Sequence, residues 1–137
     1  MSIAVTTDLD TVLAIRRVVF IEEQGISVDD EVDGKDPTAI HLLAAEDGQS
    51  LGTARLLLSE GVGKIGRVAV LKEARGRGLG RDLVLFAVEE LRRRGARQAT
   101  LGAQTHALGF YEALGFSAVG PEFLDAGMPH REMVRDL

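Results

Sequence analysis

Residues 75–80 read Arg-Gly-Arg-Gly-Leu-Gly, followed at once by Arg81 and an apolar run. Glycines placed between a strand-like and a helix-like segment bring unpaired backbone N–H groups and a helix dipole to one spot, which suits an anion. Gly76, Gly78 and Gly80 let that anion approach the backbone with no Cβ in the way. Arg75, Arg77 and Arg81 can add charge-assisted hydrogen bonds. Phosphate recognition is the chemistry that fits, with a merely flexible loop as the alternative. A second stretch, Gly61-Val62-Gly63-Lys64-Ile65-Gly66, fits the dinucleotide pattern G-x-G-x-x-G. A strand-like run follows it where that motif needs a helix, so it reads as a turn. The P-loop sequence Gly-Lys-Ser/Thr does not occur.

The elements that must position this loop are legible from periodicity. Residues 2–6 read as a first strand. Asp8 or Asp10 caps a helix running to about Gln24, with Val12, Ile15 and Val19 on one face and Gly25 as its stop. An acid-rich loop spans 26–38. Residues 39–60 are two strand-like runs about an Asp47-Gly48 turn, and 64–71 a third strand. A helix over 79–94 carries Asp82 in its first turn and Arg92, Arg93 and Arg94 in its last, with Gly95 just beyond. A strand at 97–104, a short helix at 106–115 and two closing strands complete the order β-α-β-β-β-α-β-α-β-β. The strand-helix-strand unit at 64–103 predicts a right-handed crossover between parallel strands.

The chain of 137 residues predicts a single domain with one core. Hydrophobic residues make up 45% and charged residues 27%, a soluble globular balance. The absence of a membrane-length apolar run and of a signal-peptide pattern makes the cytoplasm the expected location. With no cysteine there is no disulfide framework and no thiolate nucleophile. The net charge of -5 argues against general nucleic-acid affinity. Three scattered histidines do not make a metal site.

Arg75-x-x-Gly78-x-Gly80 resembles the Gln/Arg-x-x-Gly-x-Gly/Ala signature of the GNAT family of N-acetyltransferases. The run Val68-Ala69-Val70 stands where that family's acyl-CoA-contacting strand ends, and residues 109–116 (GFYEALGF) resemble its later tyrosine-containing helix. The core resemblance spans 64–120. The flanks FIEEQG, HLLA and MPHREM resemble the ElaA-like subgroup. The resemblance implies an α/β (α+β) fold: a mostly antiparallel twisted sheet of about seven strands, with a central parallel pair splayed apart and helices on its faces.

It also implies a chemistry. The amides of residues 76–81 (Gly76, Arg77, Gly78, Leu79, Gly80, Arg81) would hold the pyrophosphate of acetyl-CoA, with Arg75 supporting the turn. Val68, Ala69 and Val70 would pair with pantetheine, and one amide would polarise the thioester carbonyl. Gln104 sits where the family often has asparagine, and Phe110 is placed on the coenzyme. No metal or covalent intermediate is implied: an amine acceptor attacks directly once neutral. A lysine-like amine, with a pKa of about 10.4, must first lose a proton. A carboxylate can take it, with Glu23 preferred and Glu22 beside the acceptor. Tyr111, the only tyrosine, matches the general acid for the departing thiolate; a packed aromatic is its simpler role. His41 and His130 are expected to line the acceptor site. The loop acids at 29–36 are able to draw a cationic acceptor, or are an ordinary solvated charge run.

The expected activity is therefore acyl transfer from acetyl-CoA to a small-molecule or protein amine, by a possible homodimer without nucleic-acid or membrane partners. The alternatives are an acyl-CoA-binding or regulatory module without turnover, and nucleic-acid binding through the arginine cluster.

Overall fold

The computed structural model describes residues 1–137. One seven-stranded sheet runs in the order β1-β2-β3-β4-β5-β7-β6. Its strands are β1 (Ser2–Thr6), β2 (Ile40–Glu46), β3 (Gln49–Ser59), β4 (Val62–Val70), β5 (Gln98–Gln104), β6 (Ser117–Asp125) and β7 (Met128–Asp136). All neighbours are antiparallel except β4 and β5. The mostly antiparallel sheet with one parallel pair is thus as the sequence led us to expect.

Three hairpins are closed by the same local chemistry. Asp47-Gly48, Glu60-Gly61 and Ala126-Gly127 all place both residues at positive φ, the two-residue turn whose twist matches the flanking strands. The turn expected over 61–66 is therefore confined to Glu60-Gly61, and β4 begins at Val62. Gly63 serves packing instead. A Cβ there would lie 2.3 Å from a Leu91 methyl, so only glycine lets the helix above come this close.

That helix is α3 (Leu79–Arg93). It buries Leu79, Leu83, Val84, Ala87, Val88 and Leu91 against the sheet, at the helical spacing of its apolar residues. It stops at Gly95, with φ 87°, and the Ala96 amide reaches back to the Leu91 carbonyl at 3.0 Å.

The first helix differs from expectation. Asp8 caps α1 (Leu9–Arg16), accepting from the Thr11 amide at 3.2 Å and its hydroxyl at 2.6 Å. The helix then widens to π geometry over Arg17–Glu23. The expected loop at 26–38 also contains two short helical turns: α2 (Val28–Glu31), capped by Ser27, and a 3₁₀ turn at Asp36–Thr38. The short α4 (Leu108–Glu112) precedes β6. No helix is long and apolar enough to cross a membrane.

One irregularity decides where a ligand can go. β4 and β5 pair only at Val62↔Gln98, Gly63↔Ala99 and Lys64↔Thr100. Beyond Lys64 the strands separate. β4 bulges against β3 between the pairs Arg55↔Gly66 and Thr53↔Ala69, with Arg67 in the left-handed region at φ 49°. β5 meanwhile stays paired with β7 along its whole length. The result is a wedge with unpaired backbone along both inner edges.

Candidate active site

Above the C-terminal end of β4, the chain makes a 3₁₀ turn at Lys72–Ala74 and enters the glycine loop. Gly76 and Gly78 sit at φ 80° and 77°, and Gly78 is the cap residue of α3. None of the amides of residues 76–81 donates a hydrogen bond within the chain; the first to do so is Asp82, to the Gly78 carbonyl at 3.0 Å. Six consecutive donors at the head of a fifteen-residue helix make a cradle for an oxyanion. A Cβ at Gly76 would meet nothing, so that face of the loop is open.

The three arginines do not all face outward as free cations. Arg75 donates through Nε to the Val70 carbonyl at 3.0 Å and grips Glu23 at 2.9 and 3.0 Å. It ties the strand end and the end of the first helix to the loop. Arg77 is paired with Glu46, and Arg81 lies 3.3 Å from Asp82.

A cleft of about 580 Å³ opens from the wedge. Ile65, Gly66, Arg67 and Val68 form one inner wall, and Leu101, Gly102, Ala103 and Gln104 the other. The β6–β7 hairpin closes one end with Phe123 and His130; the 26–35 segment closes the other. Tyr111 lines the floor near Gln104. Burial pushes its hydroxyl above the ordinary value of 10.0, so it stays protonated through neutral pH. The hydroxyl takes no partner within the chain, while the ring is held edge-on by Phe110 and Phe116. His130 stacks on Phe123, with centroids 5.9 Å apart. If its Nδ1–H donates to the Met128 carbonyl, 2.8 Å away, the neutral ring leaves Nε2 with its lone pair free.

The acid-rich segment behaves unlike a solvated charge run. Glu31 and Asp36 are buried, and so are Arg16 and Arg55. Arg16 donates to Glu31 at 2.6 Å and to Asp36 at 2.7 Å. Arg55 takes Asp33 two-pronged at 2.7 and 2.8 Å and reaches Asp36 at 3.2 Å. The hydrogen bonds from Arg55 hold the Asp33 carboxyl far below its ordinary value, against a smaller opposing effect of burial. Burial works to raise Asp36, and the contacts from Arg16 and Arg55 outweigh it, leaving it lowered. Three acids are thereby spent on arginines, and the segment is strapped to the sheet.

Several expected residues are placed elsewhere. Glu23 is bound to Arg75, and Glu22 is exposed, 3.7 Å from Arg17; neither lines the cleft. His41 is buried behind the strap, 3.0 Å from the Asp36 carbonyl, and does not reach the cleft. Phe110 is 44% exposed and braces Tyr111. Ala69 is buried against Ile15 and Val19, so only its backbone can serve a ligand. Val68, Gln104, Tyr111 and His130 do come together around one cavity. The strap arginines escaped the sequence analysis. Their signal was present: Arg16 follows the apolar face of Val12 and Ile15, and Arg55 interrupts Thr-Ala-Arg-Leu-Leu-Leu. A charge inside a buried face demands a partner.

The wedge, the amide cradle and the tyrosine floor can be set beside known proteins. Residues 24–137 match the family model described as an acetyltransferase (GNAT) domain. The chain belongs to the GNAT family of acetyltransferases. The uncharacterized N-acetyltransferase YjcF of Bacillus subtilis is 33% identical over 89% of this chain and 88% of its own. The crystal structure of an acyl-CoA N-acyltransferase from Pseudomonas aeruginosa superposes with a TM-score of 0.89 at 34% identity, covering 98% of this chain and 99% of that one. Escherichia coli ElaA superposes with a TM-score of 0.83 at 30% identity, over 95% and 90% of the two chains. The GNAT domain here is thus that of an N-acetyltransferase, and its likeness to ElaA is borne out.

Proposed function

We propose that the protein transfers an acetyl group from acetyl-CoA directly to an amine bound in the cleft. The observation that carries this is the run of six unpartnered amides at residues 76–81, leading into a wedge whose strand edges are also unpaired. The cradle suits a pyrophosphate, and the edge of β4 at Val68–Val70 suits an extended amide-bearing arm that adds like a strand. Its amides can also support the charge that develops on the thioester oxygen.

Tyr111 supplies the proton. Its hydroxyl is protonated at neutral pH and lies unpartnered at the cleft floor, so it can protonate the departing thiolate. His130 lines the same cleft, and its Nε2 lone pair takes the proton of the incoming ammonium. Glu23, bonded to Arg75, positions the loop instead. Gln104, at the end of β5, offers its amide to the arm of the coenzyme.

The test is CoA release from acetyl-CoA across a panel of amines, with Tyr111→Phe and His130→Gln beside the wild type. Tyr111→Phe keeps ring and packing, so melting temperature and acetyl-CoA binding should hold while kcat falls about 10²-fold, the usual scale for a positioned general acid. His130→Gln should cut kcat with coenzyme binding intact. Unchanged kcat in either variant removes that residue from the mechanism. No CoA release with any amine, in a protein that binds acetyl-CoA, favours a binding module without turnover.

A further inference from the structure

We propose that the acceptor is an amine carrying an oxyanion, and that Arg67 is the residue that receives this group in the cleft. The inference rests on the acyl-transfer reading above and assigns its acceptor class.

The argument begins from the strap. Three arginines, Arg16, Arg55 and Arg67, meet three acids, Glu31, Asp33 and Asp36. The pairing is uneven. Arg16 and Arg55 have close hydrogen bonds to carboxylates. Arg67 has none: its nearest carboxylate oxygens stand at 3.5 and 3.6 Å, and its Nη2 donates to the Glu31 carbonyl at 3.0 Å. Its Nε is buried without a partner, while Nη1 takes none within the chain and stays open to solvent.

Arg67 is also the strap arginine built into the wedge. It sits at the bulge of β4, in the left-handed region, next to Val68. Its side chain is 24% exposed and lines the cleft. Burial, with the nearby charge of Arg55, makes its cation less favourable than an ordinary arginine's. An anion arriving from the cleft relieves that deficit and takes a charge-assisted bond from the free Nη1. A cationic acceptor gains little on this side, because the acids that would draw it are already occupied. Asp30 and Asp125 are exposed residues of the cleft lining and remain available for the ammonium end.

Binding is tested apart from turnover. Protein saturated with CoA is titrated by calorimetry with matched pairs: leucine and leucinamide, 6-aminohexanoate and its carboxamide, O-phosphoethanolamine and ethanolamine. Spermidine is the polycationic control. For at least one pair the anionic member should bind about 10-fold to 100-fold tighter, the scale of one charge-assisted hydrogen bond. The pair that responds tells carboxylate from phosphate. Arg67→Gln should bring the two members within about 2-fold, and Arg67→Lys, which keeps the charge and loses the fork, should fall between. The rise in melting temperature on adding CoA should be unchanged in both variants. Equal binding of every pair, tighter binding of spermidine, no binding by any pair, or discrimination that survives in Arg67→Gln overturns the proposal. A wild type whose melting temperature CoA leaves unmoved instead overturns the acyl-transfer reading itself, and is recorded before any amine is added.

Discussion

The glycine loop with the splayed strands, and the acid-rich strap, are built on opposite plans. On the side proposed for the coenzyme the chain leaves its own backbone unsatisfied: six amides at 76–81 and the inner edges of β4 and β5 have no partner. On the side proposed for the acceptor it does the reverse, locking Glu31, Asp33 and Asp36 onto Arg16 and Arg55. A ligand on the first side is recognised by main-chain donors that any sequence would present in that conformation. A ligand on the second meets what the ion pairs leave over, namely Arg67 and the exposed rim. Under the proposed function the first plan serves a shared coenzyme and the second a particular acceptor, since backbone geometry is general and side-chain pairing is specific.

The most damaging way to break the coenzyme half is Gly78→Val. At φ 77° a β-branched residue is strained, and its Cβ would stand 3.1 Å from the Arg81 guanidinium. The loop must rearrange, and the amides cease to converge. Loss of two charge-assisted hydrogen bonds, at about 1.5–3 kcal/mol each, predicts a roughly 10²–10⁴-fold weaker acetyl-CoA dissociation constant. Calorimetric titration of the folded variant measures it. Near-normal affinity returns the segment to a flexible loop.

This contrast also explains what was legible in the sequence. The order of elements along the chain, the helix with its Gly95 stop and the glycine loop were readable because turn chemistry and periodicity act over a few residues. Tyr111, Gln104 and Val68 were expected only through the family resemblance, and all three line the cleft. The strap did not, because Arg16 meets Asp36 twenty residues away and Arg55 meets Asp33 twenty-two away. Nothing in a run of acids says which of them will be buried. Glu23 shows the same limit: its type suggested a base, and its partner, Arg75, is fifty-two residues distant. The splay of β4 from β5 was expected through the family resemblance alone, and no local signal marks the bulge at Arg67 that accompanies it.

Breaking the acceptor half calls for Arg16→Ala. The side chain is wholly buried, and its removal strands Glu31 and Asp36 without their strongest partner. An uncompensated buried charge costs about 3–5 kcal/mol, so the melting temperature should fall by roughly 10–20 °C. Acetyl-CoA affinity, measured where the variant is folded, should change little, since the amide cradle shares no bond with the strap. The wild type should also lose stability in acid, with a definite sign. Asp33 and Asp36 have folded values below their ordinary one. Their contribution is complete above the unfolded value of about 3.9 and disappears as the pH falls through the lower folded values. Denaturation midpoints should hold down to about pH 5 and drop below about pH 4, and Asp33→Asn should flatten that drop. A flat acid limb in the wild type would mean that the strap contributes nothing to stability.

The smallest expected effect lies at the seam between the two halves, where Glu23 holds Arg75. The two carboxylate oxygens take two arms of one guanidinium, and the same arginine braces the Val70 carbonyl beside the glycine loop. Glu23→Gln keeps the size of the side chain and one hydrogen bond but removes the charge. Exposed ion pairs are worth about 0–1 kcal/mol, so the melting temperature should move by only a few degrees. If Glu23 positions the loop, the loss appears on the coenzyme: a rise of about 2-fold to 5-fold in the KM for acetyl-CoA, at unchanged kcat. If it is the base instead, kcat falls by the 10²-fold or more expected of lost proton transfer, and the fall is relieved at high pH where the amine is already neutral. Steady-state kinetics with both substrates varied, across roughly pH 6 to 9, separates the two patterns. A kcat that falls at low pH and recovers at high pH would move Glu23 from the seam into the chemistry.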